Sequence, residues 1–408
     1  MERVAVVLSG AAARGAFQAG ALQTLIPALE NQGLRPSVYL GTSAGAINAA
    51  LWGAHADLGS EACGAAVSDI WRHMSRRDVI AHPISTLALS DAPRFTASAL
   101  GLIDGFPALL DTSPLARTAE RVLDTARLAE NVAAGIVDGV GVAATRIPPP
   151  SDLPKDEAPA NARTSVFLDA PTLPVDAVAD PDRAVDVAPG PVQRAHVLAS
   201  AAIPLGFPPQ WVQTPEAARG WYVDGGIRLN TPLRPAIALG ADRILVVAAM
   251  STEYGGPLPP SQPGERIPDF ATTAAQVMHT ALADRMTEDL RELRSRNRMV
   301  AQAAKGNTTL SRSDGTDLRQ IPLMTVSPEP GTLGVLAAEV MDAKLDRPFG
   351  ALRDTDAFAL DRLLRGLGEG AGRRELLSYI FFDSDYFAAQ LDRGKRAAEA
   401  ALRAGWQS

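Results

Sequence analysis

The sequence predicts an α/β fold with a mainly parallel central sheet. Short apolar segments at residues 4–8 and 244–248 are rich in β-branched residues, which is typical of strands buried on both faces. Segments between such strands carry apolar residues three and four positions apart, as helices that cover a sheet do. The first strand–helix–strand unit is complete by residue 40 and leads directly to a serine at a tight turn.

That serine lies in the motif Gly41-Thr42-Ser43-Ala44-Gly45, which has the form G-x-S-x-G. A strand-like segment precedes the motif and a helix-like segment follows it. This context is typical of a nucleophile elbow, in which a strained turn presents the serine hydroxyl. The two flanking glycines would let neighbouring backbones pass closely, and the helix dipole would direct its positive end at Ser43.

The remaining elements follow from the same patterns in chain order. Continuous apolar runs predict strands, spaced apolar residues predict helices, and glycine or proline marks where each element ends. The predicted strands are 4–8, 38–40, 140–145, 166–168, 221–223, 244–248 and 321–326. The predicted helices are 22–29, 44–56, 193–202, a short one after Asn230 or Thr231 as its cap, 270–299 and 376–403.

Two segments interrupt this pattern. Residues 80–116 are apolar but punctuated by prolines, which indicates either helices at the sheet edge or a cap over the site that could contact lipid. Residues 147–191 are rich in Pro, Asp and Ala and are predicted to be mostly loop. Because the strands on both sides belong to one sheet pattern, we predict one catalytic domain over 1–330 and a C-terminal helical extension over 331–408.

Composition limits the classes of function. The 408 residues are 46% hydrophobic and carry a net charge of −7, which argues against nucleic acid as a partner. The single cysteine, Cys63, excludes an intrachain disulfide and a cysteine zinc site. No basic leader precedes the first strand and no apolar run approaches about 18 residues, so we expect a cytoplasmic protein, at most peripheral to a membrane.

The loop after the first strand consists of small residues. Its sequence is Ser9-Gly10-Ala11-Ala12-Ala13-Arg14-Gly15, and it is neither a P-loop nor a G-x-G-x-x-G motif. It could be an ordinary strand-to-helix turn, or a cradle of backbone N–H groups for an anion at a helix start. Beside a nucleophile elbow, the second interpretation predicts an oxyanion hole.

A serine hydroxyl needs a base that accepts its proton. A triad of Ser43, Asp224 and His279 can be drawn, but His279 lies inside a long amphipathic helix pattern. The serine also comes earlier in the chain than in the usual α/β-hydrolase sheet. The remaining histidines are His55, His73, His82 and His196.

The alternative base is Asp224 itself, which follows a strand and precedes Gly225 and Gly226. Ligands bind at the carboxyl ends of strands in open α/β sheets, so Ser43 and Asp224 should share one edge. Burial and hydrogen bonds would tune the pKa of this carboxylate. A simple turn is the competing interpretation, since Asp-Gly recurs elsewhere, for instance at Asp138-Gly139.

Together these motifs resemble the patatin-like phospholipases, and bacterial members in particular. The resemblance rests on the small-residue loop, the Ser43 motif about 30 residues later and the late Asp-Gly-Gly. Three further segments are similar to that family: 199–209, 230–233 and 379–383.

The resemblance implies a three-layer α/β/α fold and a Ser–Asp dyad that cleaves acyl lipids without metal or cofactor. Ser43 would attack the ester and Asp224 would act as base. Arg14 would lend charge or, as we favour, anchor its loop. The implied oxyanion hole is Gly10, Ala11, Ala12, Ala13 and Arg14, and the implied supporting glycines are Gly15, Gly41, Gly45, Gly225 and Gly226.

The chain departs from the family pattern at Ala11 and Ala12, where the family usually has glycines. If these positions need positive φ, each alanine costs on the order of 1 kcal/mol. The second hypothesis is therefore a catalytically weak or inactive protein of this fold that binds lipid.

Overall fold

The computed structural model describes residues 2–81, 108, 110–148, 162–252, 260, 264, 266–311 and 317–407. The strands are β1 (Arg3–Leu8), β2 (Arg35–Thr42), β3 (Gly139–Ile147), β4 (Arg163–Asp169), β5 (Val185–Pro189), β6 (Gln210–Val212), β7 (Gly220–Asp224), β8 (Arg243–Val247) and β9 (Leu323–Val326). The helices are α1 (Gly15–Asn31), α2 (Ala44–His55), α3 (Ser60–His73), α4 (Ser113–Val122), α5 (Thr125–Ala133), α6 (Arg194–Ser200), α7 (Gly226–Leu229), α8 (Leu233–Ala238), α9 (Phe270–Lys305), α10 (Thr332–Leu345), α11 (Gly350–Arg353), α12 (Thr355–Leu367), α13 (Gly370–Ile380) and α14 (Ser384–Ala404).

The described strands form one sheet in the order β5-β4-β3-β2-β1-β8-β9, with β7 on β3 and β6 on β7. Strands β1, β2, β3, β8 and β9 pair in parallel, whereas β4 and β7 run antiparallel to β3. Helices cover both faces. The predicted α/β fold with a mainly parallel sheet in the middle layer is confirmed.

Two hydrophobic cores lie on opposite faces of this sheet, and β1 contributes to both. Val4, Val6 and Leu8 pack into the core below α1, α2 and α14, while Ala5 and Val7 pack into the core below α8 and α9. Successive side chains of a strand point to opposite faces. This explains why the segment is apolar throughout and does not alternate.

Strand β7 reaches the predicted site by a route that the sequence argument did not anticipate. The predicted shared edge of Ser43 and Asp224 assumes the carboxyl ends of parallel strands, but β7 runs antiparallel to β3. β2 pairs with β3 as far as Thr42, opposite Ala143, and β7 begins its pairing at Asp224, opposite Ala144. The two strands therefore meet end to end along one edge of β3.

Within residues 147–191, β4 contains the strand predicted at 166–168, whereas the prediction of loop is wrong for β5. β4 (Arg163–Asp169) and β5 (Val185–Pro189) both belong to the sheet, and 149–161 lie outside the described residues. The acidic and proline residues of β5 interrupt the apolar pattern by which a strand is predicted, although Val185 and Ala188 are buried. A proline is tolerated there because β5 is the outermost strand in the sheet order.

The cap predicted over 80–116 lies mostly outside the described residues, which omit 82–107 and 109. The C-terminal segment is helical and packs through α14 on α1 and through α13 on α9. The single helix predicted over 376–403 is two helices, because Asp383 caps the start of α14. Its carboxylate accepts hydrogen bonds from the amides of Asp385 at 3.0 Å and Tyr386 at 3.2 Å.

Candidate active site

Ser43 occupies a strained turn between β2 and α2. Its backbone angles are φ 57° and ψ −127°, which L-residues rarely adopt unless their surroundings impose them. Neighbouring backbones do so here. A Cβ on Gly41 would lie 2.2 Å from the carbonyl oxygen of Gly45, and one on Gly45 would lie 2.4 Å from that of Leu8. This strain marks Ser43 as a candidate nucleophile.

The Ser43 hydroxyl lies close enough to the Asp224 carboxylate to stabilise its ionised form and so lower its pKa. The carboxylate accepts a hydrogen bond from the amide of Gly226 at 2.7 Å, which fixes its orientation. The backbone amide of Asp224 donates to the carbonyl oxygen of Ala202 at 2.8 Å. Serine and carboxylate are thus brought together directly, without an intervening imidazole.

Three further glycines that the sequence singled out stand where a side chain would not fit. A Cβ on Gly225 would lie 2.3 Å from the carbonyl oxygen of Ala143, in the middle of β3. One on Gly226 would lie 3.0 Å from Oδ1 of Asp224, and one on Gly15 would lie 2.4 Å from the Trp71 ring. The glycines therefore provide space for the turn after β7 and for the start of α1.

Burial raises the pKa of the Asp224 carboxyl from 3.8 to about 6, and the Ser43 hydroxyl and the amide of Gly226 offset part of that effect. Asp224 is 6% exposed and Ser43 is 5% exposed. A carboxylate with this pKa is a stronger base than an ordinary aspartate. It is still ionised at neutral pH, which suits a general base.

Ser200, the last residue of α6, fixes the backbone of Ser43, and no sequence motif singles it out. Its hydroxyl accepts from the amide of Ser43 at 2.9 Å and donates to the carbonyl oxygen of Ala143 at 2.6 Å. It ties the strained turn to β3. Its only sequence signal is its position in the segment 199–209 that resembles the family.

The small-residue loop lies beside Ser43, because a Cβ on Gly10 would be 3.4 Å from the Ser43 Cβ. The amide of Gly10 donates to the carbonyl oxygen of Asn230 at 2.9 Å, and that of Arg14 donates to Ala11 at 2.9 Å. In the described part of the chain, the amides of Ala11, Ala12 and Ala13 have no acceptor. The implied set of oxyanion donors thus narrows to these three, because Gly10 and Arg14 have no free amide to offer.

The two alanines of the loop differ in backbone conformation. Ala12 has φ 48°, in the left-handed region, whereas Ala11 has φ −144°. The conformational penalty that we anticipated at both positions therefore arises at Ala12 alone.

Substituting each alanine by glycine should therefore have opposite effects on stability. Ala12→Gly relieves a left-handed alanine, and we expect it to raise the free energy of unfolding by up to about 1 kcal/mol. Ala11→Gly relieves no strain in the folded state. It should lower the free energy of unfolding by about 0.4–1 kcal/mol, because glycine gives the unfolded chain more conformational freedom. Urea unfolding of both variants measures the difference, and equal destabilisation would contradict a strained Ala12.

Asn230 connects the loop to α9 and does not cap α8. Its carbonyl oxygen accepts from Gly10, and its Nδ2 donates to the carbonyl oxygen of Leu282 at 2.8 Å. Its Oδ1 is buried without a partner among the described residues, although Asn230 is only 1% exposed. That Oδ1 and Oδ1 of Asp224 each lie 3.0 Å from the position of a Cβ on Gly226, so both acceptors face the same glycine.

The Arg14 side chain points away from Ser43 and into the C-terminal helices. Its guanidinium lies 3.7 Å from the centre of the Tyr379 ring and pairs with Glu375 at 2.6 Å. Nε also donates to Ser378 at 3.0 Å. A guanidinium with these partners, only 2% exposed, anchors the loop.

No described histidine is hydrogen-bonded to Ser43 or Asp224. His196 is buried: its ring stacks on Phe167 at 4.0 Å, and its Nε2 donates to the carbonyl oxygen of Thr214 at 2.7 Å. Burial lowers the pKa of His196, so it stays neutral as a structural residue. His279 lies in α9 on the wall of a cavity, and His82 lies outside the described residues.

That cavity has a volume of about 910 Å³ and lies between α9, α10 and α13. Its walls include Arg14 and His279 but neither Ser43 nor Asp224. Among the described residues, no three His, Cys, Asp or Glu side chains are grouped so that they could hold a metal ion. No helix of the described residues is both long and apolar enough to span a membrane.

Comparison with known families gives one match. A family model described as "Patatin-like phospholipase" matches residues 6–237, a stretch that contains both Ser43 and Asp224. Helices α9 to α14 lie outside the matched stretch. No curated protein matches the chain.

Proposed function

The chain belongs to the patatin-like phospholipase family, and from this premise we propose that it is a lipid acyl hydrolase with a Ser43–Asp224 dyad. The observation that carries the proposal is the close approach of a strained serine to a buried carboxylate of raised pKa. Family membership supplies the substrate class, an acyl ester of a phospholipid or related lipid.

In the proposed first step, the Ser43 oxygen attacks the ester carbonyl carbon while Asp224 accepts the hydroxyl proton. The resulting oxyanion would lie against the free amides of Ala11, Ala12 and Ala13. Such donors in a water-poor site stabilise the transition state, and loss of one costs about 10²–10³ in rate. The protonated Asp224 then donates its proton to the departing alcohol, which leaves an acyl group on Ser43.

In the second step, water attacks the acyl carbonyl and Asp224 accepts its proton. The tetrahedral intermediate collapses, the carboxylic acid leaves, and the proton returns to Ser43. The unpaired Oδ1 of Asn230 faces Gly226, as Oδ1 of Asp224 does, and would accept a hydrogen bond from this water. Asp224 thus alternates between base and acid in both halves of the reaction.

The proposal is tested by incubating the protein with a fluorophosphonate and measuring intact mass, followed by peptide mapping. A single adduct on Ser43 that is lost in Asp224→Asn supports an activated serine. Hydrolysis of a panel of phospholipids, lysophospholipids and thioesters then defines the substrate. Absence of an adduct on the folded protein contradicts the proposal.

The rate should depend on pH through the ionisation of Asp224. Because only the carboxylate accepts a proton and its pKa is about 6, kcat/KM should fall about tenfold per pH unit below 6 and level off above it. A pH series with a neutral ester substrate, which does not itself ionise, measures this. A flat profile from pH 4.5 to 8 would count against Asp224 as base.

A second candidate function is lipid binding without turnover. It is favoured by one observation, the left-handed alanine in the loop at Ala12. This hypothesis predicts that the wild-type protein binds lipid vesicles but does not react with the fluorophosphonate. It also predicts that Ala11→Gly with Ala12→Gly restores labelling, and no gain would leave it unsupported.

A further inference from the structure

We propose that the C-terminal helices α13 and α14 position the loop of residues 10–14 for catalysis, with Gln390 and Glu375 as the positioning residues. The inference rests on the proposed function. It goes beyond the family resemblance, because both residues lie outside the stretch that the family model matches.

Gln390 of α14 holds the end of the loop through its side-chain amide. Its Nε2 donates to the carbonyl oxygen of Ala13 at 2.8 Å, and its Oε1 accepts from the amide of Phe17 at 3.2 Å. Gln390 is fully buried. Both bonds reach backbone atoms at the start of α1, so Gln390 fixes where the loop ends and the helix begins.

Glu375 of α13 holds the loop through Arg14. Its carboxylate pairs with the guanidinium at 2.6 Å, and Ser378 on the next turn accepts from Nε of Arg14. Tyr379 covers the opposite face of the guanidinium at 3.7 Å. Arg14 also approaches the carbonyl oxygen of Ala249, beyond β8, at 3.5 Å. The Arg14 side chain thereby connects the loop to the end of β8 and to the C-terminal helix α13.

Helix α14 is fixed on α1 by direct backbone contact, so it can serve as a rigid support. A Cβ on Gly20 of α1 would lie 2.1 Å from the carbonyl oxygen of Leu391, and one on Gly394 of α14 would lie 2.0 Å from that of Phe17. Glycine at both positions lets the helices approach this closely. Gln390 lies beside this contact and has little freedom to shift.

The loop needs such support because of Ala12. A left-handed alanine persists only where the surrounding structure fixes it, and Ala12 is followed at once by the two residues that the C-terminal helices hold. If the loop relaxed, the free amides of Ala11 to Ala13 would turn from the oxyanion. The C-terminal helices thus compensate for alanine where the family usually has glycine.

The first test compares Gln390→Leu with Asn297→Leu. Asn297 of α9 is a matched control, since its buried amide also donates to a backbone carbonyl, that of Ile321, and accepts from the amide of the same residue. Both variants should lose similar stability. Only Gln390→Leu should lower kcat, by about 10-fold to 10²-fold with KM changed less than about 3-fold, since misplaced catalytic groups cost rates of this size.

Glu375→Gln is the second variant, for use if Gln390→Leu does not fold. It keeps the side-chain length and removes the charge opposite Arg14, and we expect kcat to fall about 5-fold. Its control is Asp361→Asn, which weakens another ion pair of α13, the one between Asp361 and Arg373 at 2.6 Å. Equal kcat in each variant and its control would overturn the inference.

Amide hydrogen exchange separates this inference from the proposed function. If the helices hold the loop, exchange at the hydrogen-bonded loop amides of Gly10 and Arg14 should be faster in Gln390→Leu than in Asn297→Leu, with or without turnover. A wild-type protein that never reacts with a fluorophosphonate refutes the proposed function, and with it a catalytic role for the helices. An active enzyme whose loop exchanges equally in both variants refutes the positioning role alone.

Discussion

Ser43→Ala and Asp224→Asn are each expected to reduce ester turnover by on the order of 10⁴-fold or more. Ser43→Ala removes the attacking oxygen. Asp224→Asn removes the base while it keeps the size of the side chain, and an amide oxygen can still accept from Gly226. Rates measured under saturating substrate, with the concentration of each folded protein determined by absorbance, quantify both losses. A double variant should lose no more than either single one, because the two residues act as a unit.

Asp224→Asn should also leave the protein more stable above pH 6. The folded state holds the Asp224 proton more tightly than the unfolded chain does, since burial raises the pKa from 3.8 to about 6. The contribution of Asp224 to wild-type stability therefore falls as pH rises from about 4 to 6. Relative to wild type, the free energy of unfolding of Asp224→Asn should be higher by up to about 3 kcal/mol above pH 6 and unchanged near pH 4.

These two readouts distinguish the dyad from the histidine triad. An inactive Asp224→Asn that is folded and stabilised fits a carboxylate base. Substantial turnover in Asp224→Asn together with an inactive His279→Ala would instead assign the base to His279. We expect His279→Ala to keep its activity, because no described histidine contacts Ser43 or Asp224.

The sequence predicts those parts of the fold that depend on residues close together in the chain. The strand β1, the turn at Ser43 and the helix α2 are each determined by residues adjacent in the chain. The periodicity of apolar residues and the two glycines around Ser43 therefore suffice to predict them. Asp224 was recognisable by the two glycines after it. The route by which Asp224 reaches Ser43 could not be predicted from the sequence. It depends on the antiparallel pairing of β7 with β3, which places Asp224 opposite Ala144.

Contacts between distant parts of the chain were the part that sequence reasoning missed. Ser200 bonds Ser43 across 157 positions, and Gln390 bonds Ala13 across 377. A serine at the end of a helix or a glutamine in an amphipathic helix has no pattern that reveals its partner. Likewise, no sequence pattern distinguishes Ala12, which is left-handed, from Ala11, which is not.

Gly45→Ala is expected to lower the free energy of unfolding by about 3 kcal/mol and to abolish turnover. The added Cβ would lie 2.4 Å from the carbonyl oxygen of Leu8 and 2.6 Å from that of Ser9. Both atoms are backbone at the end of the central strand β1, so they cannot move aside as a flexible side chain would. The first turn of α2 must shift, and Ser43 with it.

Gly366→Ala provides the matched control, because a Cβ there meets nothing within 4 Å and the residue lies within helix α12. Alanine favours a helix over glycine by about 0.8–1 kcal/mol, so this variant should be slightly more stable and fully active. Urea unfolding and the ester assay compare the two. A Gly45→Ala protein as stable and active as Gly366→Ala would mean that the serine turn does not depend on contact between α2 and β1. The strain at Ser43 would then need another source.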